Sequence, residues 1–266
     1  MIERRLEASI APFGRVIVAF SGGVDSAVVL AAASRALNAD VLAVTASSPS
    51  VAQGEVESAA MLAREIGVAH EIVLTREFDD ARYRANASDR CYYCKSELYS
   101  TLSRIASDRG FRVVLDGTNA DDGAAALDVR PGRVAATEFA VRSPLAELGI
   151  GKSDVRAIAA RYGLRVAAKP ATPCLSSRVP HGTRIEIDDL RRIDLAERYL
   201  RANGFSTVRV RHFGSTARVE VPTQDIARLR DIQERAGRAL AAVGYDTLEI
   251  DPRGYRTGSL NEPPRP

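Results

Sequence analysis

A hexapeptide near the start of the chain has the residue types and spacing of a phosphate-binding turn. Residues 21–26, Ser-Gly-Gly-Val-Asp-Ser, follow the apolar run 16–20 and precede an alanine-rich stretch that favours a helix. A glycine turn between a strand and a helix leaves backbone N–H groups free to donate, and the positive end of the helix dipole suits a phosphate. No Gly-Lys-Ser/Thr follows at the spacing of a Walker loop, so the turn belongs to another class of phosphate site.

Three cysteines are the second group of residues with chemical potential. Cys91 and Cys94 form a Cys-x-x-Cys pair, and Cys174 stands in a proline-bounded loop far along the chain. An odd number of cysteines does not suggest a secreted disulfide framework. Three thiolates can hold a [4Fe–4S] cluster and leave one iron open to a ligand such as hydrosulfide. Persulfide or sacrificial-sulfur chemistry without a cluster is an alternative, as are structural thiols or a zinc site completed by one of the three histidines.

The elements that must position these groups alternate between strand and helix. Strands are predicted at 16–20, 41–46, 70–74 and 112–115, and helices at 53–66, 95–109 and 151–162. This alternation predicts parallel pairing in a doubly wound α/β sheet, which binds ligands at the carboxyl ends of its strands. Residues 116–122, rich in carboxylates and small residues, are expected at that edge. Residues 75–95 are predicted to be a charged connection that leads to the Cys-x-x-Cys pair.

A domain boundary is predicted in the extended loop 169–178, where two prolines stand beside small polar residues. The two domains are expected at 1–172 and 179–266. The second has the pattern of a small α+β domain, with helices at 187–202 and 223–243 and strands at 207–213, 217–221 and 247–250. The tail, residues 261–266, is expected to lack regular structure.

The composition of the chain disfavours nucleic acids and membranes as its partners. The formal net charge is +3, and the region after Cys174 has 16 arginines against 13 acidic residues, a modest excess for a surface that grips RNA. No apolar stretch approaches the roughly 20 residues of a membrane helix, and residues 1–11 have no signal core. A cytoplasmic enzyme without a membrane or nucleic-acid partner is expected. The only lysines, Lys95, Lys152 and Lys169, each fall beside a motif.

The hexapeptide resembles the SGGxDS loop of the ATP pyrophosphatases, which include GMP synthetases, NAD synthetases and tRNA thiolases. Four further stretches, RCYYCK, GTNADD, KPATPCLSSR and RVRHFGSTARVEV, extend the resemblance over nearly the whole chain. Together they are similar to the LarE family, ATP-dependent sulfur transferases that build the nickel-pincer nucleotide cofactor. In that family a carboxylate of a pyridinium dicarboxylate nucleotide is adenylated and then attacked by sulfur.

The resemblance implies two possible sources of sulfur. Some members sacrifice the cysteine of the PCLxSR segment, here Cys174, and leave dehydroalanine. Members with the Cys-x-x-Cys pair are thought to hold a [4Fe–4S] cluster and to pass on a bound sulfide. Because this chain has that pair, the implied cofactors are ATP, Mg²⁺ and a [4Fe–4S] cluster, and the implied partners are a small nucleotide substrate and a sulfide donor. A homo-oligomer is also expected, since family members assemble.

The resemblance also implies a role for each site residue. Pyrophosphate is expected on Ser21, Gly22, Gly23, Asp25 and Ser26. Thr45 is expected beside adenine and ribose, and the segment that closes over the nucleotide contains Gly117, Thr118 and Asn119. The residues expected to act in catalysis are Asp25, Cys91, Cys94 and Cys174. Arg209 and Arg211 alternate on one strand face and match an anion-binding pair, with a solvated face as the alternative. Glu197 and Glu220 match acidic positions in the family and are candidates for metal or substrate binding.

Other functions are weighed against this reading. A tRNA thiolase of the same superfamily would also use a phosphate loop and a cluster, but it calls for a basic surface with exposed aromatic residues. An ammonia-channelling synthetase is disfavoured because nothing resembles a glutaminase domain. A nucleotide-binding regulatory module would not need the three cysteines, and the absence of ATP-to-AMP turnover with any acceptor would favour it.

Overall fold

The chain folds as two units in the computed structural model, which describes residues 1–122, 131–170, 172–256 and 260. The first unit comprises residues 1–48, 53–83 and 88–172, and the second comprises 49–52, 84–87 and 173–266. The main chain therefore passes between the units at five points, the last of them between Thr172 and Pro173. The predicted tail at 261–266 lies outside the described residues.

Four parallel strands form the sheet of the first unit. They are β1 (Val16–Ala19), β2 (Val41–Ser47), β3 (Ala69–Leu74) and β4 (Val113–Leu115), in the order β3-β2-β1-β4. Val16 of β1 pairs with Val41 on one side and with Val113 on the other. β1 is a continuous apolar run because both faces of a central parallel strand are buried. The predicted doubly wound α/β class is confirmed.

Helices cover both faces of this sheet. They are α1 (Ile2–Ile10), α2 (Val24–Leu37), α3 (Glu55–Ile66), α4 (Ala81–Arg84), α5 (Arg90–Arg109), α6 (Pro131–Glu138), α7 (Pro144–Glu147) and α8 (Lys152–Arg161). Val16 and Val18 pack into one apolar cluster with α1, α2, α3 and α8. Ile17, which points to the opposite face, packs into a second cluster with α5 and α6. The alternation of side chains along β1 thus separates the two helical layers.

Helix α5 begins earlier than the sequence predicts. The expected start was near Lys95, after a charged connection, but the helix starts at Arg90 and contains both cysteines of the pair. Two aromatic residues account for the earlier start. Tyr92 packs against the apolar cluster beneath α5, and the Tyr93 hydroxyl donates to the Asp89 carboxylate at 3.1 Å. Tertiary packing therefore extends the helix through a stretch whose charges suggested a connection.

The second unit contains a three-stranded sheet. Its strands are β5 (Arg209–Phe213), β6 (Thr216–Glu220) and β7 (Thr247–Ile250), with β5 and β6 antiparallel and β6 and β7 parallel. Its helices are α9 (Ile187–Ala202), α10 (Ile226–Asp231) and α11 (Gln233–Ala241). The predicted single helix at 223–243 is interrupted at Ile232, whose side chain packs against the apolar core of this unit. Within the described ranges, no helix is long and apolar enough to cross a membrane.

Candidate active site

The predicted phosphate turn connects β1 to α2 and is closed by its own serines. Gly22 has a φ of +69°, and a Cβ there would lie 3.0 Å from the Cβ of Ala59 on α3, so the position requires glycine. The N–H of Ser21 donates to Ser26 Oγ and the N–H of Gly23 donates to Ser21 Oγ, both at 3.3 Å. The Ser26 hydroxyl donates to the Gly23 carbonyl at 3.1 Å. The turn is thus held in shape by its own serines, and it leads directly into the N-terminus of α2.

The loop after β4 lies directly against this turn. The strand order reverses between β1 and β4, which is where open α/β sheets bind ligands. A Cβ on Gly117 would lie 2.6 Å from the backbone nitrogen of Ser26, so only glycine allows this approach. The Thr118 hydroxyl points to the Asp116 carboxylate and donates to Oδ2 at 2.8 Å. Two segments singled out from the sequence, 21–26 and 117–119, therefore share one edge of the sheet.

Asp25 is the charged centre of this edge. Its Oδ1 accepts a hydrogen bond from Asn119 Nδ2 at 3.1 Å, and its Oδ2 lies 2.5 Å from Lys152 Nζ. Lys152 is not among the residues that the sequence predicts for the site. The signal that could have found it is the scarcity of lysine in this arginine-rich chain. The arrangement places an ammonium group beside the phosphate turn, where it can neutralise a bound pyrophosphate.

Asp121 caps the helix that carries Lys152. Its Oδ2 accepts the backbone N–H of Lys152 at 2.6 Å, and its own N–H donates to Asn119 Oδ1 at 2.9 Å. A Cβ on Gly151 would lie 2.8 Å from Asp121 Oδ1, so glycine is needed to admit the carboxylate. A carboxylate at a helix N-terminus satisfies a free N–H and favours the helix dipole. Asp121 therefore fixes both Asn119 and Lys152.

Thr45 lies buried near the end of β2, where the family resemblance implies a site for adenine and ribose. Its hydroxyl donates to the Phe20 carbonyl at 2.7 Å and lies 2.8 Å from His70 Nε2. Because that hydroxyl has a single hydrogen, Nε2 carries the hydrogen of the second bond. Burial lowers the pKa of His70, against the opposite effect of Glu71. Thr45 thus links Phe20, directly after β1, with His70, at the start of β3, and its role toward the nucleotide stays a prediction.

The Cys-x-x-Cys pair lies in the first two turns of α5 in the first unit. Cys91 is exposed and Cys94 is half-buried, and residues three apart share a helix face. Cys174, also exposed, lies in the second unit directly before the short helical turn Leu175–Arg178. In the part of the chain that the structure describes, no group of three or more His, Cys, Asp or Glu side chains is arranged to hold a metal ion. The cluster therefore stays a prediction.

A fully buried ion pair holds the backbone around Cys174. Arg178 donates through Nε and Nη2 to the two oxygens of Glu197, at 2.9 and 3.1 Å, and both side chains have no exposed surface. The Nη1 of Arg178 donates to the carbonyls of Pro173, at 2.7 Å, and of Cys174, at 3.0 Å. Arg178 is the last residue of the KPATPCLSSR stretch, and the two serines before it give no sign in the sequence that it is buried.

The two strand arginines are buried rather than solvated. Arg211 donates to Glu220 Oε2 through Nε and Nη2, at 3.0 and 2.8 Å, and to the Ser177 carbonyl at 3.0 Å. Arg209 donates to the Val208 carbonyl and lies over the Tyr255 ring, 5.3 Å from its centroid. Burial, and then the positive charge of Arg178, lower the pKa of Arg209. The solvated-face alternative for these arginines is therefore excluded, and phosphate binding stays a prediction.

The two glutamates proposed as weak metal ligands have arginine partners. Glu197 accepts hydrogen bonds from Arg178 and Arg201 and from the backbone N–H of Val210, the last at 3.1 Å. Burial raises the pKa of Glu197, but the hydrogen bonds and charge of Arg178, with the charges of neighbouring arginines, lower it overall. Glu220 binds Arg211. The arrangement gives both carboxylates a structural function, and their metal-binding role stays a prediction.

The parallel sheet with its glycine turn at the β1/β4 reversal defines an ATP pyrophosphatase of the PP-loop class. The family described as asparagine synthase matches residues 2–173. An uncharacterized protein of Synechocystis sp. is 43% identical over 98% of each chain, and one of Methanocaldococcus jannaschii is 27% identical over 91% of each. Pyridinium-3,5-bisthiocarboxylic acid mononucleotide synthase of Lactiplantibacillus plantarum is 38% identical, over 97% of this chain and 92% of that protein.

These likenesses confirm the resemblance drawn from the five motifs. The chain belongs to the LarE family, and it is an ATP-dependent sulfurtransferase.

Proposed function

We propose that this enzyme converts a carboxylate of a pyridinium dicarboxylate nucleotide into a thiocarboxylate, as a step in the synthesis of the nickel-pincer nucleotide cofactor. The observation that carries the proposal is the 38% identity, over nearly the whole chain, to a protein named pyridinium-3,5-bisthiocarboxylic acid mononucleotide synthase. The preformed phosphate turn supports it, because a carboxylate oxygen leaves poorly until it is joined to AMP.

In the first step a substrate carboxylate oxygen attacks the α-phosphorus of ATP. The bond from that phosphorus to the β-phosphate oxygen breaks, and pyrophosphate leaves. The positive end of the α2 dipole and the ammonium of Lys152 would stabilise the charge on pyrophosphate. Asp25 orients Lys152 and Asn119, and its carboxylate is an oxygen donor of the kind that Mg²⁺ prefers. Bound Mg²⁺ would neutralise the phosphates.

In the second step sulfur attacks the acyl carbon of the adenylate, a C–S bond forms, and AMP leaves. If Cys174 is the nucleophile, its thiolate forms a thioester with the substrate. Loss of the Cα proton with cleavage of the Cβ–S bond then releases the thiocarboxylate and leaves dehydroalanine. This route consumes one enzyme per sulfur and gives Cys91 and Cys94 no role.

The cysteine pair favours the second source of sulfur. None of these three cysteines forms a disulfide and each is at least partly accessible, and Cys91 and Cys94 share a helix face, so their donor chemistry fits a [4Fe–4S] cluster. We propose that Cys91, Cys94 and Cys174 are its ligands, as the family resemblance implies. The bound cluster would supply a replaceable sulfide at its open iron, and a sulfide donor would restore it.

Anaerobic reconstitution with iron and sulfide tests this proposal. Iron and sulfide counts, the visible spectrum and thiocarboxylate formed per enzyme are measured for the wild type and for Cys91→Ala, Cys94→Ala and Cys174→Ala. About four irons per chain, lost in each variant, with more than one turnover in the wild type, are expected. Absence of iron, with Cys174 alone required and a protein lighter by one H₂S after turnover, would establish the sacrificial route instead. Absence of AMP formation when the pyridinium dicarboxylate nucleotide is added would contradict the proposed acceptor.

A further inference from the structure

Asp116 is a buried carboxylate with no part in the proposed chemistry, yet it accepts four hydrogen bonds. Its Oδ2 accepts from the hydroxyls of Tyr99, at 2.7 Å, and Thr118, at 2.8 Å. Its Oδ1 accepts from the backbone N–H of Thr118, at 3.0 Å, and the Ser143 hydroxyl, at 2.7 Å. Only 3% of Asp116 is exposed, so these fixed donors replace water around its charge. Such a carboxylate strongly restricts the conformations of the residues that donate hydrogen bonds to it.

The residues that Asp116 restricts are those in contact with the phosphate turn. Gly117 lies between Asp116 and Thr118 and approaches the backbone of Ser26 too closely for any side chain. Asn119, which follows Thr118 in the chain, donates a hydrogen bond to the Asp25 carboxylate. The two bonds from Thr118 to Asp116 therefore fix a short segment at the position where it meets the N-terminus of α2.

Tyr99 connects this carboxylate to another layer of the unit. It lies in α5, five residues after Cys94, and only 1% of it is exposed. Its hydroxyl stays protonated, because burial and the negative charge of Asp116 raise its pKa well above the ordinary value. Tyr99 is therefore a permanent donor to Asp116, and it ties the 117–119 segment to the helix that carries the cysteine pair.

We propose that Asp116 and Tyr99 are positioning residues for ATP, which act by holding the segment 117–119 against the phosphate turn. Neither side chain needs to touch the nucleotide. Loss of the Tyr99 hydroxyl leaves Asp116 with three hydrogen-bond donors. The backbone of Gly117 and Thr118 is then less restricted, and the hydrogen bond from Asn119 to Asp25 forms less often. The inference rests on ATP use alone and is independent of the acceptor and of the source of sulfur.

Calorimetric titration with Mg–ATP provides the test, with Tyr99→Phe compared with Tyr162→Phe. Tyr162 is a matched control because its hydroxyl also donates to a carboxylate of the first unit, Glu7, at 2.7 Å. Both variants lose one tyrosine–carboxylate bond, so both are expected to melt at a lower temperature. Tyr99→Phe is expected to raise the Kd for Mg–ATP about tenfold, whereas Tyr162→Phe changes it less than about twofold. No acceptor is present, so failure of the proposed substrate leaves the result intact.

If Tyr99→Phe does not fold, a pair of Thr118 variants tests the same positioning role of Asp116. Thr118→Val removes one hydroxyl donor to Asp116, and Thr118→Ser retains it. The valine variant is expected to weaken Mg–ATP binding severalfold, and the serine variant to bind with nearly wild-type affinity. An unchanged Kd in Tyr99→Phe, an equal loss in Tyr162→Phe, or equal affinities in the two Thr118 variants would overturn the proposal.

Discussion

Lys152 Nζ lies 2.5 Å from Asp25 Oδ2, although the two residues are 127 positions apart in the chain. The pair brings the start of α8 to the phosphate turn, and Asn119 holds the second oxygen of the same carboxylate. Ion pairs at partly exposed sites contribute little to stability, and both of these side chains retain solvent access. The pair is therefore expected to serve ATP chemistry more than folding.

Replacement of the ammonium group tests this expectation. Lys152→Met is expected to lower kcat/KM for ATP about 100-fold in a pyrophosphate-release assay, because the charge that stabilises the leaving group is lost. The melting temperature should change little. Arg161→Met is the control, since it removes a partly exposed ion pair with Glu3 at the opposite end of the same helix. Wild-type activity in Lys152→Met would contradict the assigned role.

The close approach of Gly117 to the phosphate turn gives a second prediction. Gly117→Ala would place a methyl group 2.6 Å from the Ser26 nitrogen, so the loop must shift away from α2. We expect a loss of about 1–3 kcal/mol in the free energy of unfolding and weaker Mg–ATP binding in calorimetry.

The control is Gly237→Ala, in the interior of α11, where an added Cβ meets open space. It should leave the affinity unchanged and raise the free energy of unfolding slightly, because alanine favours a helix. If Gly117→Ala binds Mg–ATP as the wild type does, the loop is less constrained than its packing indicates.

The sequence predicts the first unit well where its signals are local. The apolar run before the hexapeptide predicts the central strand, because a parallel strand buried on both faces needs such a run. The meeting of Gly117 with Ser26 follows from the rule that strand ends share one sheet edge. The Lys152–Asp25 pair has no such signal, since it depends on where α8 packs. The scarcity of lysine in the chain is what draws attention to Lys152 in the sequence.

The second unit shows why polar residues are harder to interpret. Arg209 and Arg211 alternate with apolar residues, a pattern that also fits a strand with one solvated face. Both are instead buried, and Arg211 pairs with Glu220 on the neighbouring strand. Arg178 and Glu197 likewise pair across 19 positions with no exposed surface. Charge neutralisation by a distant partner is invisible in a local pattern.

Removal of one partner from the buried Arg178–Glu197 pair is expected to destabilise the second unit strongly. Glu197→Gln leaves the buried Arg178 guanidinium without its counter-charge, so the free energy of unfolding should fall by about 3–5 kcal/mol in urea denaturation. The control is Arg218→Met, which breaks the exposed pair with Glu249 and should change the free energy by less than about 1 kcal/mol. Equal effects in the two variants would show that burial adds nothing to the Arg178–Glu197 pair.

Loss of the Arg178–Glu197 ion pair should also change the reactivity of Cys174. Arg178 holds the carbonyl of Cys174, so Arg178→Met is expected to free the loop and speed alkylation of the thiol by iodoacetamide. The rate is measured in a Cys91→Ala/Cys94→Ala background, and Arg218→Met again serves as the control. An unchanged rate in a folded Arg178→Met protein would contradict the proposed hold on the loop.

The stability of the second unit is expected to fall in mild acid because of His212. This buried imidazole lies 3.2 Å from the Tyr245 hydroxyl at Nδ1 and 3.5 Å from Asp189 at Nε2. Burial, opposed by Asp189 and reinforced by Arg192, lowers the pKa of His212 in the folded state. The unfolded chain, with a pKa of about 6.5, then binds the proton more tightly. The stabilising contribution is complete above that pH and is lost as the pH falls toward the folded pKa.

Urea denaturation at a series of pH values from about 8 to 5 measures this effect. The wild type should lose free energy of unfolding below about pH 6.5, and His212→Gln should show a shallower loss because it cannot take up the proton. His70 lies in the first unit and burial lowers its pKa as well, so His70→Gln should flatten the pH dependence of the first unit's free energy of unfolding in the same direction. A slope in His212→Gln equal to that of the wild type would mean that the buried imidazole is protonated without loss of folding free energy, contrary to its packing.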